Sequence, residues 1–206
     1  MAKPHRIALF NAKGGCGKTT LAWNLAFGLA RHAPTLLVDA DPQGSLQHWA
    51  DWSAEEGGEI AIAGPELLAQ GESKHRFWVI DCPPALEAKE TQQALALADF
   101  VLLPVLPSPL DLWASKRSVE ALQELHAGRR GRHAALVLNQ SEGRSALSRA
   151  AENAIANLGL PVLPGHIARR AIYRSAAIEG KSVYQMGKRG APAVAEIERL
   201  IEEIRR

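Results

Sequence analysis

A glycine-rich segment near the amino terminus carries the residues best suited to phosphate chemistry. It reads Lys13-Gly14-Gly15-Cys16-Gly17-Lys18-Thr19-Thr20, between an apolar run at 7–11 and a helical pattern at 18–32. Glycines let the backbone curl so that successive N–H groups point at one anion, and the N-terminus of the next helix adds donors and a favourable dipole. Lys18 can reach the β- and γ-phosphates of a nucleotide, and the Thr19 hydroxyl suits Mg²⁺. The segment therefore predicts a phosphate-binding loop.

Seven residues of this loop are expected to contact the nucleotide: Gly14, Gly15, Cys16, Gly17, Lys18, Thr19 and Thr20. The spacing departs from the usual G-x-x-x-x-G-K-[ST] pattern, because Ala12 occupies the first glycine position and Lys13 follows it. The simpler alternative is a glycine-rich turn that only connects a strand to a helix. Cys16 needs only a small side chain there, and a redox role for it is the weaker interpretation.

Three aspartates end two further apolar runs and are candidates for metal and water chemistry. Asp39 is the last residue of the run Thr35–Asp39, and Asp41 comes two residues later, in the order Asp-Ala-Asp-Pro. Asp81 is the last residue of the run Phe77–Asp81. A carboxylate near a γ-phosphate can orient water, and others can hold Mg²⁺ directly or through water. Asp81 is therefore predicted near the metal together with Thr19, and Asp39 and Asp41 could both face the nucleotide, where one could orient water and the other steady Mg²⁺ through water. Asp41 alone could also be only a turn former before Pro42.

Apolar runs alternate with helical patterns along the whole chain. The predicted strands are 7–11, Thr35–Asp39, Phe77–Asp81, Phe100–Val105, 134–139 and 160–167, and the predicted helices are 18–32, 88–98, 112–126, 145–158 and 192–205. Several strands are apolar almost throughout, as strands covered on both faces are. The pattern predicts an α/β fold in which a mostly parallel, twisted sheet has helices on both faces, with 1–206 as one domain. Residues 55–58 are predicted to form a surface turn and 128–132 a basic loop.

Composition excludes several classes of protein. A chain of 206 residues with 47% hydrophobic and 22% charged residues has the composition of an ordinary globular protein. Its net charge of +2 is too small to indicate a binding partner. Cys16 and Cys82 cannot form a metal cluster alone, and nothing suggests a disulfide framework. With no signal peptide pattern and no apolar run of about 18 residues, a cytoplasmic location without a membrane span is expected.

The three motifs together resemble the ParA/MinD family of deviant Walker A P-loop ATPases, and the likeness covers nearly the whole chain. Its most specific part is K-G-G-x-G-K-T-T followed by D-x-D-P-Q-G. The resemblance implies ATP and Mg²⁺ as cofactors and a homodimer that sandwiches ATP. It also implies that Lys13 reaches the partner's phosphates and that Lys18 and Thr19 bind phosphate and Mg²⁺. By the same resemblance, Asp39 and Asp81 are the acids around Mg²⁺ and Asp41 orients the attacking water.

Other segments are similar to the small ParA proteins that lack an N-terminal DNA-binding domain. These are residues 104–113, 167–174 and 180–183. By the same resemblance Asn139 is the residue that contacts adenine, and its amide offers both a donor and an acceptor to a base edge. Without the resemblance, Asn139 would read as a strand-end residue that caps a turn.

Whether such a dimer binds DNA is indicated by the distribution of charge along the chain. From Arg129 to Arg189 there are eleven Arg or Lys residues against three Glu and no Asp. Cations placed along a surface suffice for sequence-independent DNA binding. The candidate DNA-binding residues are Arg169, Arg170, Arg174, Lys181, Lys188 and Arg189. A solvated basic face without a partner is the alternative.

The sequence therefore predicts a nucleoid-associated ATPase that dimerises on ATP, binds DNA non-specifically and positions a cargo such as a plasmid, a chromosome region or a protein assembly. A ParB-like or other adaptor would stimulate hydrolysis. One alternative is a membrane-cycling ATPase of the MinD type, but the acids beside the apolar stripe of the last helix favour packing on the sheet. A metabolic or redox P-loop enzyme with an iron–sulfur cluster is another alternative.

Overall fold

A seven-stranded parallel sheet forms the centre of the protein. The computed structural model describes residues 3–54, 60–71, 73–126, 133–143 and 146–205, so the predicted turn at 55–58 and basic loop at 128–132 lie outside the described residues. The strands are β1 His5–Leu9, β2 Thr35–Asp39, β3 Ala61–Ala63, β4 Phe77–Asp81, β5 Phe100–Val105, β6 His133–Ser141 and β7 Val162–Ala168. Their order is β3-β2-β4-β1-β5-β6-β7, and every recorded pairing is parallel.

Eight helices lie in the described part of the chain, of which the first six lie between strands and the last two follow β7. They are α1 Lys18–Ala30, α2 Ser45–Ala54, α3 Glu66–Gln70, α4 Lys89–Leu97, α5 Pro109–His126, α6 Ala146–Ile155, α7 Ala171–Ile178 and α8 Gly187–Ile204. Short 3-10 turns at Ala156–Leu158 and Val183–Gln185 complete the connections. The predicted fold class is confirmed.

Each central strand is buried on both faces, because its alternate residues enter two different cores. Ile7 and Leu9 pack with α1 and α8 on one side, whereas Ala8 and Phe10 pack with α4, α5 and α6 on the other. This explains why the strands read as continuous apolar runs rather than as an alternation. The apolar stripe of α8, including Ile197 and Ile201, lies in the first core. The prediction that this helix packs on the sheet is confirmed.

The structure differs from the prediction at helix starts and in four elements that were not predicted. Helix α8 begins at Gly187, five residues before the predicted start, so that Pro192 lies inside the helix. Proline is common in a first turn, and this preference made it look like the first helical residue. Strand β3 and helices α2, α3 and α7 were not predicted. All four are short, and polar residues interrupt the apolar periodicity of α2 and α7. Within the described ranges, no helix has both the length and the apolar composition needed to cross a lipid bilayer.

Candidate nucleotide-binding site

The carboxyl edge of the sheet gathers the predicted phosphate and metal residues. The loop 10–17 joins β1 to α1, and β1 lies between β4 and β5. The strand register pairs Leu9 with Asp81 and Asp39 with Asp81. Parallel strands with this register bring the loop and both carboxylates to one point of the sheet edge, where ligands of such folds bind.

The loop itself has the backbone that an anion cradle requires. Gly15 and Gly17 adopt positive φ angles of 76° and 89°. A Cβ on Gly17 would lie 2.5 Å from the Nδ2 atom of Asn139, so both conformation and space require glycine there. The buried Lys18 ammonium donates to the carbonyl oxygens of Asn11 (3.2 Å) and Lys13 (3.4 Å). Its charge therefore lies inside the curl of the loop, where a phosphate would be bound.

Asn11 supports this loop from below and was not among the predicted site residues. Its Nδ2 donates to the Pro104 carbonyl oxygen (3.0 Å) and to Ser115 Oγ (2.9 Å). Its Oδ1 accepts from the Lys13 N–H (3.0 Å) and from Ser118 Oγ (3.2 Å). Asn11 lies inside the loop, two residues after the end of β1. The sequence shows this amide but not its partners in 104–118, which are more than 90 residues away.

Thr19 and Asp81 form the pair that could hold a metal ion. Thr19 Oγ1 donates to Asp81 Oδ2 at 2.6 Å. The other carboxylate oxygen, Oδ1, is buried and has no hydrogen-bond partner among the residues that the structure describes. Burial raises the pKa of Asp81 to about 7, against a smaller opposing effect of the Thr19 hydrogen bond. A buried carboxylate with one unsatisfied oxygen beside a hydroxyl is chemically suited to Mg²⁺, which binds through oxygen ligands.

Asp39 and Asp41 are arranged differently from Asp81. Asp39 Oδ1 accepts from the Asp41 N–H (3.2 Å), and its Oδ2 accepts from the N–H groups of Leu46 (3.0 Å) and Gln47 (3.3 Å). Asp39 thus satisfies donors in the first turn of α2, while burial raises its pKa. The half-buried Asp41 accepts from the Gln43 N–H (3.0 Å) and lies in the turn that leads to α2. Both carboxylate oxygens of Asp39 therefore already accept from backbone donors, and its role near Mg²⁺ stays a prediction.

Lys13 extends away from the curl of its own loop. Its Nζ lies 3.7 Å from Asp111 Oδ1, and the Lys13 side chain is 45% exposed. Asp111 accepts a hydrogen bond from Ser108 Oγ (2.6 Å) at the start of α5. The lysine is therefore held only by a long ion pair at the surface, whereas Lys18 is buried.

A cavity of about 450 Å³ opens beside the phosphate loop. Its walls include Thr20, Trp49, Asn139, Tyr173 and Arg174. Asn139, predicted to contact adenine, donates from Nδ2 to the Cys16 carbonyl oxygen at 2.7 Å and accepts from the N–H of its neighbour Gln140. It braces the loop and also lines the cavity. Contact of Asn139 with the adenine base stays a prediction. Its hydrogen bond to the Cys16 carbonyl oxygen joins residues that are 123 positions apart in the sequence.

Two of the six predicted DNA-binding residues have acidic partners beside this cavity. Arg170 donates from Nε (3.1 Å) and Nη2 (2.7 Å) to Oε1 of the buried Glu196. Glu196 Oε2 also accepts from the Ala168 N–H, so the pair fixes the corner between β7 and α7. Arg169 pairs with Glu142 at 2.6 Å, and both side chains are more than half exposed. These pairings reduce the positive charge that either arginine offers to a polyanion.

The remaining predicted cations lie close to this corner. Lys181 lies 3.3 Å from Glu179. Arg174 on α7 and Lys188 and Arg189 at the start of α8 are exposed, and no ion pair is formed between them and an acid of the described residues. Helices α7 and α8 are in contact. The structure therefore leaves a smaller basic surface than the sequence predicted.

Both cysteines are buried. Cys16 Sγ donates to the Lys13 carbonyl oxygen, and burial raises the pKa of the Cys16 thiol. Burial also raises the pKa of Cys82. Raised pKa values disfavour the thiolate, which is the form that binds metals and attacks electrophiles. Within the described residues, no cluster of three or more His, Cys, Asp or Glu side chains could hold a metal ion.

A glycine loop at the carboxyl edge of a parallel sheet, with a buried lysine and a Thr–Asp pair, defines a phosphate-loop nucleotide-binding protein. A family model described as the CobQ/CobB/MinD/ParA nucleotide binding domain matches residues 7–183. The chain therefore belongs to this family, and the resemblance inferred from the sequence motifs is confirmed.

Individual relatives extend the match over nearly the full length. The chain is 44% identical over 209 residues to the maintenance of carboxysome distribution protein A of Halothiobacillus neapolitanus, covering 98% of this chain and 97% of that protein. It is 31% identical over 241 residues to the chromosome-partitioning ATPase Soj of Thermus thermophilus, covering 98% and 96%. The structure of an ATP complex of a Cyanothece McdA variant has a TM-score of 0.76 at 18% identity, covering 99% and 97%, which shows a shared fold.

Proposed function

We propose that this protein is a Mg²⁺-dependent ATPase of the ParA type that dimerises on ATP and positions a cargo in the cell. The observation that carries the proposal is the Thr19–Asp81 pair beneath the glycine loop, with its unsatisfied carboxylate oxygen. Mg²⁺, when bound, would neutralise phosphate charge as the bond to the γ-phosphate breaks. The Lys18 ammonium would bind the phosphates after exchanging the two carbonyl contacts that it makes in the free protein.

Two further residues would complete the hydrolytic site. Asp41, in the turn after β2, would orient the attacking water toward the γ-phosphate. Lys13 would leave Asp111 and reach the phosphates bound by the second subunit. The ion pair of Lys13 supports this proposal, since its N–O distance of 3.7 Å is long and the Lys13 side chain is 45% exposed, which makes the pair weak.

We propose a protein assembly as the cargo, in preference to a plasmid or a chromosome region. The carboxysome distribution relative of Halothiobacillus neapolitanus is 44% identical over 98% of the chain, against 31% for the Soj relative. A carboxysome is the cargo that the name of the first relative indicates. An adaptor protein that binds both the ATPase and the cargo would stimulate hydrolysis. Pull-down with this chain from cells that make carboxysomes would identify the adaptor.

The surface on which the dimer is retained would be nucleoid DNA. Arg174, Lys181, Lys188 and Arg189 lie on or beside the adjoining helices α7 and α8, and their cations would contact phosphates without reading bases. ATP would shift the equilibrium between monomer and dimer toward the dimer, which binds DNA. Hydrolysis of ATP would return the equilibrium toward the monomer. Each phosphate contact adds to the salt dependence, so DNA binding is expected to weaken steeply with salt.

The test combines phosphate release with DNA co-sedimentation, with and without ATP, over a salt series. We expect Asp41→Ala to bind ATP and DNA but to hydrolyse at least about tenfold more slowly. Lys13→Ala should lose stimulation by the adaptor. Wild-type turnover in both variants would contradict the proposed roles. Lys116→Ala, which removes a surface cation paired with Glu120, is the matched control.

A membrane-cycling ATPase is the second candidate function. The apolar face of α8 is buried in the core, through Ile197, Leu200, Ile201 and Ile204. This face would have to leave the sheet before it could bind lipid, which weakens the second candidate. Liposomes of mixed anionic lipid in place of DNA provide the comparison: ATP-dependent binding to vesicles but not to DNA would favour it.

A further inference from the structure

Asn24, a buried amide on α1, joins the helix that follows the phosphate loop to a turn near the carboxyl terminus. Its Nδ2 donates to the Thr20 carbonyl oxygen, and its Oδ1 accepts from the Val183 N–H, both at 2.8 Å. Asn24 is 2% exposed and Val183 is fully buried. A buried amide with a partner at each end has a fixed orientation, so this contact joins segments 159 residues apart at one defined point.

The 3-10 turn Val183–Gln185 is held both by its own hydrogen bonds and by packing on α1. The N–H and the hydroxyl of Ser182 both donate to Gln185 Oε1, at 2.8 Å and 3.1 Å. The Tyr184 hydroxyl packs on Gly28, which lies four residues after Asn24 on the same face of α1, and a Cβ at Gly28 would overlap it. The turn is therefore fixed to α1 by close contact as well as by the hydrogen bond of the amide.

The same turn positions the basic start of α8. A Cβ at Gly190 would overlap the Val183 carbonyl oxygen, so glycine lets the first turn of α8 pack directly on that carbonyl. Lys188 and Arg189, two of the cations proposed to contact DNA, immediately precede Gly190, and Lys181 lies two residues before Val183. Val183 thus contacts α1 through its N–H and α8 through its carbonyl oxygen.

The other end of this connection lies in the nucleotide site. Lys18 and Thr19 begin α1, and they donate to the loop carbonyl oxygens and to Asp81 in the free protein. Phosphate and Mg²⁺ would replace these contacts and would therefore act on the helix that carries Asn24. A helix that both sites contact is the kind of rigid element through which two sites are coupled.

We propose that Asn24 is a positioning residue that couples the nucleotide state of the phosphate loop to the basic surface at the start of α8. The inference rests on the proposed function, because it names how ATP regulates DNA binding within each subunit. Occupancy of the loop would shift α1, and the hydrogen bond from Val183 to Asn24 would carry this shift to Lys188 and Arg189. Asn24 itself touches neither the nucleotide nor DNA in this mechanism.

The experiment measures the affinity of the full chain for a DNA duplex of arbitrary sequence, by fluorescence anisotropy at one salt concentration, with a non-hydrolysable ATP analogue and with ADP. We expect wild type to bind DNA about tenfold or more tightly with the analogue, and Asn24→Ala to reduce this ratio to about threefold or less. Affinity for the analogue and dimerisation, read from sedimentation, should stay within about twofold of wild type. Asn157→Ala is the matched control, because Asn157 makes the same kind of bond to the carbonyl oxygen of Asn153 at an exposed position.

Val183→Pro breaks the same hydrogen bond from its other end. Val183 is the first residue of a 3-10 turn and Ser182 before it is extended, with φ −87° and ψ 165°, so both positions are compatible with proline. This variant should reduce the ratio as much as Asn24→Ala does, and the double variant should reduce it no further, since both substitutions remove one contact.

Hydrogen exchange of the wild-type chain provides a readout that needs no substitution. Exchange of the Val183 amide should be slower with the ATP analogue than with ADP, because a shift of α1 changes the bond that this amide donates. The measurement is made without DNA, so that protection by bound DNA does not contribute.

The results that would overturn the inference are distinct from those that would overturn the proposed function. A wild-type ratio in Asn24→Ala and Val183→Pro, or equal exchange of the Val183 amide with both nucleotides, would remove the coupling and leave ATP-dependent DNA binding standing. Loss of analogue affinity in Asn24→Ala, together with a lower melting temperature, would make Asn24 a structural support of the loop only. A wild-type chain whose DNA affinity does not depend on the nucleotide would contradict the proposed function and the inference together.

Discussion

The phosphate-loop edge and the corner between β7 and α7 both concentrate charge, but they satisfy it differently. At the loop edge, within the described part of the chain, Asp81 keeps a buried oxygen without a partner and the Lys18 ammonium donates to two backbone carbonyls. At the corner, Arg170 and Glu196 satisfy one another through two hydrogen bonds. A charge left incompletely paired indicates a ligand site, whereas a charge matched by a buried partner indicates a structural one.

The largest effect is expected from removing Lys18, because this substitution tests directly whether the loop edge is a ligand site. Lys18→Ala should weaken ATP binding by about 100-fold and abolish hydrolysis, because a phosphate in the curl would lose its buried cation. Calorimetric titration with ATP and Mg²⁺ measures the change. Lys116→Ala is the control and should bind ATP as wild type does. ATP affinity within about threefold of wild type in Lys18→Ala would show that the curl is not a phosphate site.

The unsatisfied carboxylate predicts a dependence on pH. Asp81 holds its proton up to about pH 7 in the folded chain but loses it near pH 4 when unfolded, so this group lowers stability as pH rises through that interval. Asp81→Asn should therefore raise the free energy of unfolding of the ligand-free protein by about 2–4 kcal/mol at pH 8, and by less toward pH 4. Denaturant titration across this pH range measures it.

The same substitution should have the opposite effect on the liganded protein. Asp81→Asn removes the negative oxygen that suits Mg²⁺, so the metal should no longer increase ATP affinity. Asp51→Asn, at an exposed position on α2, should change neither quantity. A stabilised apo variant that still gains ATP affinity from Mg²⁺ would separate the buried charge from metal binding.

The corner should respond to substitution through stability rather than ligand binding. Arg170→Ala leaves the Glu196 carboxylate buried without its cation and should lower the free energy of unfolding by about 2 kcal/mol, since part of Arg170 remains in solvent. The adjacent Arg169→Ala breaks an exposed pair with Glu142 and should cost under about 0.5 kcal/mol. Equal losses in the two variants, read from urea denaturation, would remove the distinction between the pairs.

The smallest effect on stability is expected for an alanine substitution in the phosphate loop, where Gly17 and Gly14 can be compared. Gly17→Ala places a side chain at a positive φ angle and against Asn139, and should cost about 1–2 kcal/mol of stability. Gly14→Ala, where a Cβ meets nothing within 4 Å, should leave the melting temperature unchanged. If Gly17→Ala melts at the same temperature as Gly14→Ala, then the contact with Asn139 does not restrict the loop.

Much of the fold could be predicted because its signals are local. Buried parallel strands read as apolar runs, and the glycines and Lys18 appear between a strand and a helix in a spacing that few other structures require. Helices α2 and α7 were missed because their apolar positions depend on tertiary contacts, such as those of Trp49 with Trp23 and of Tyr173 in the core. Their periodicity alone is too short to indicate a helix.

The sequence by itself therefore determined the phosphate loop, the longer strands and helices of the α/β alternation, and the three aspartates that end strands or follow them. Only the tertiary structure decided which charges are available to a ligand. Glu196 neutralises Arg170 from 26 residues away, and Asn139 braces Cys16 across 123 residues. The physical reason is that availability depends on burial and on partners brought together by folding, and neither leaves a local pattern in the sequence.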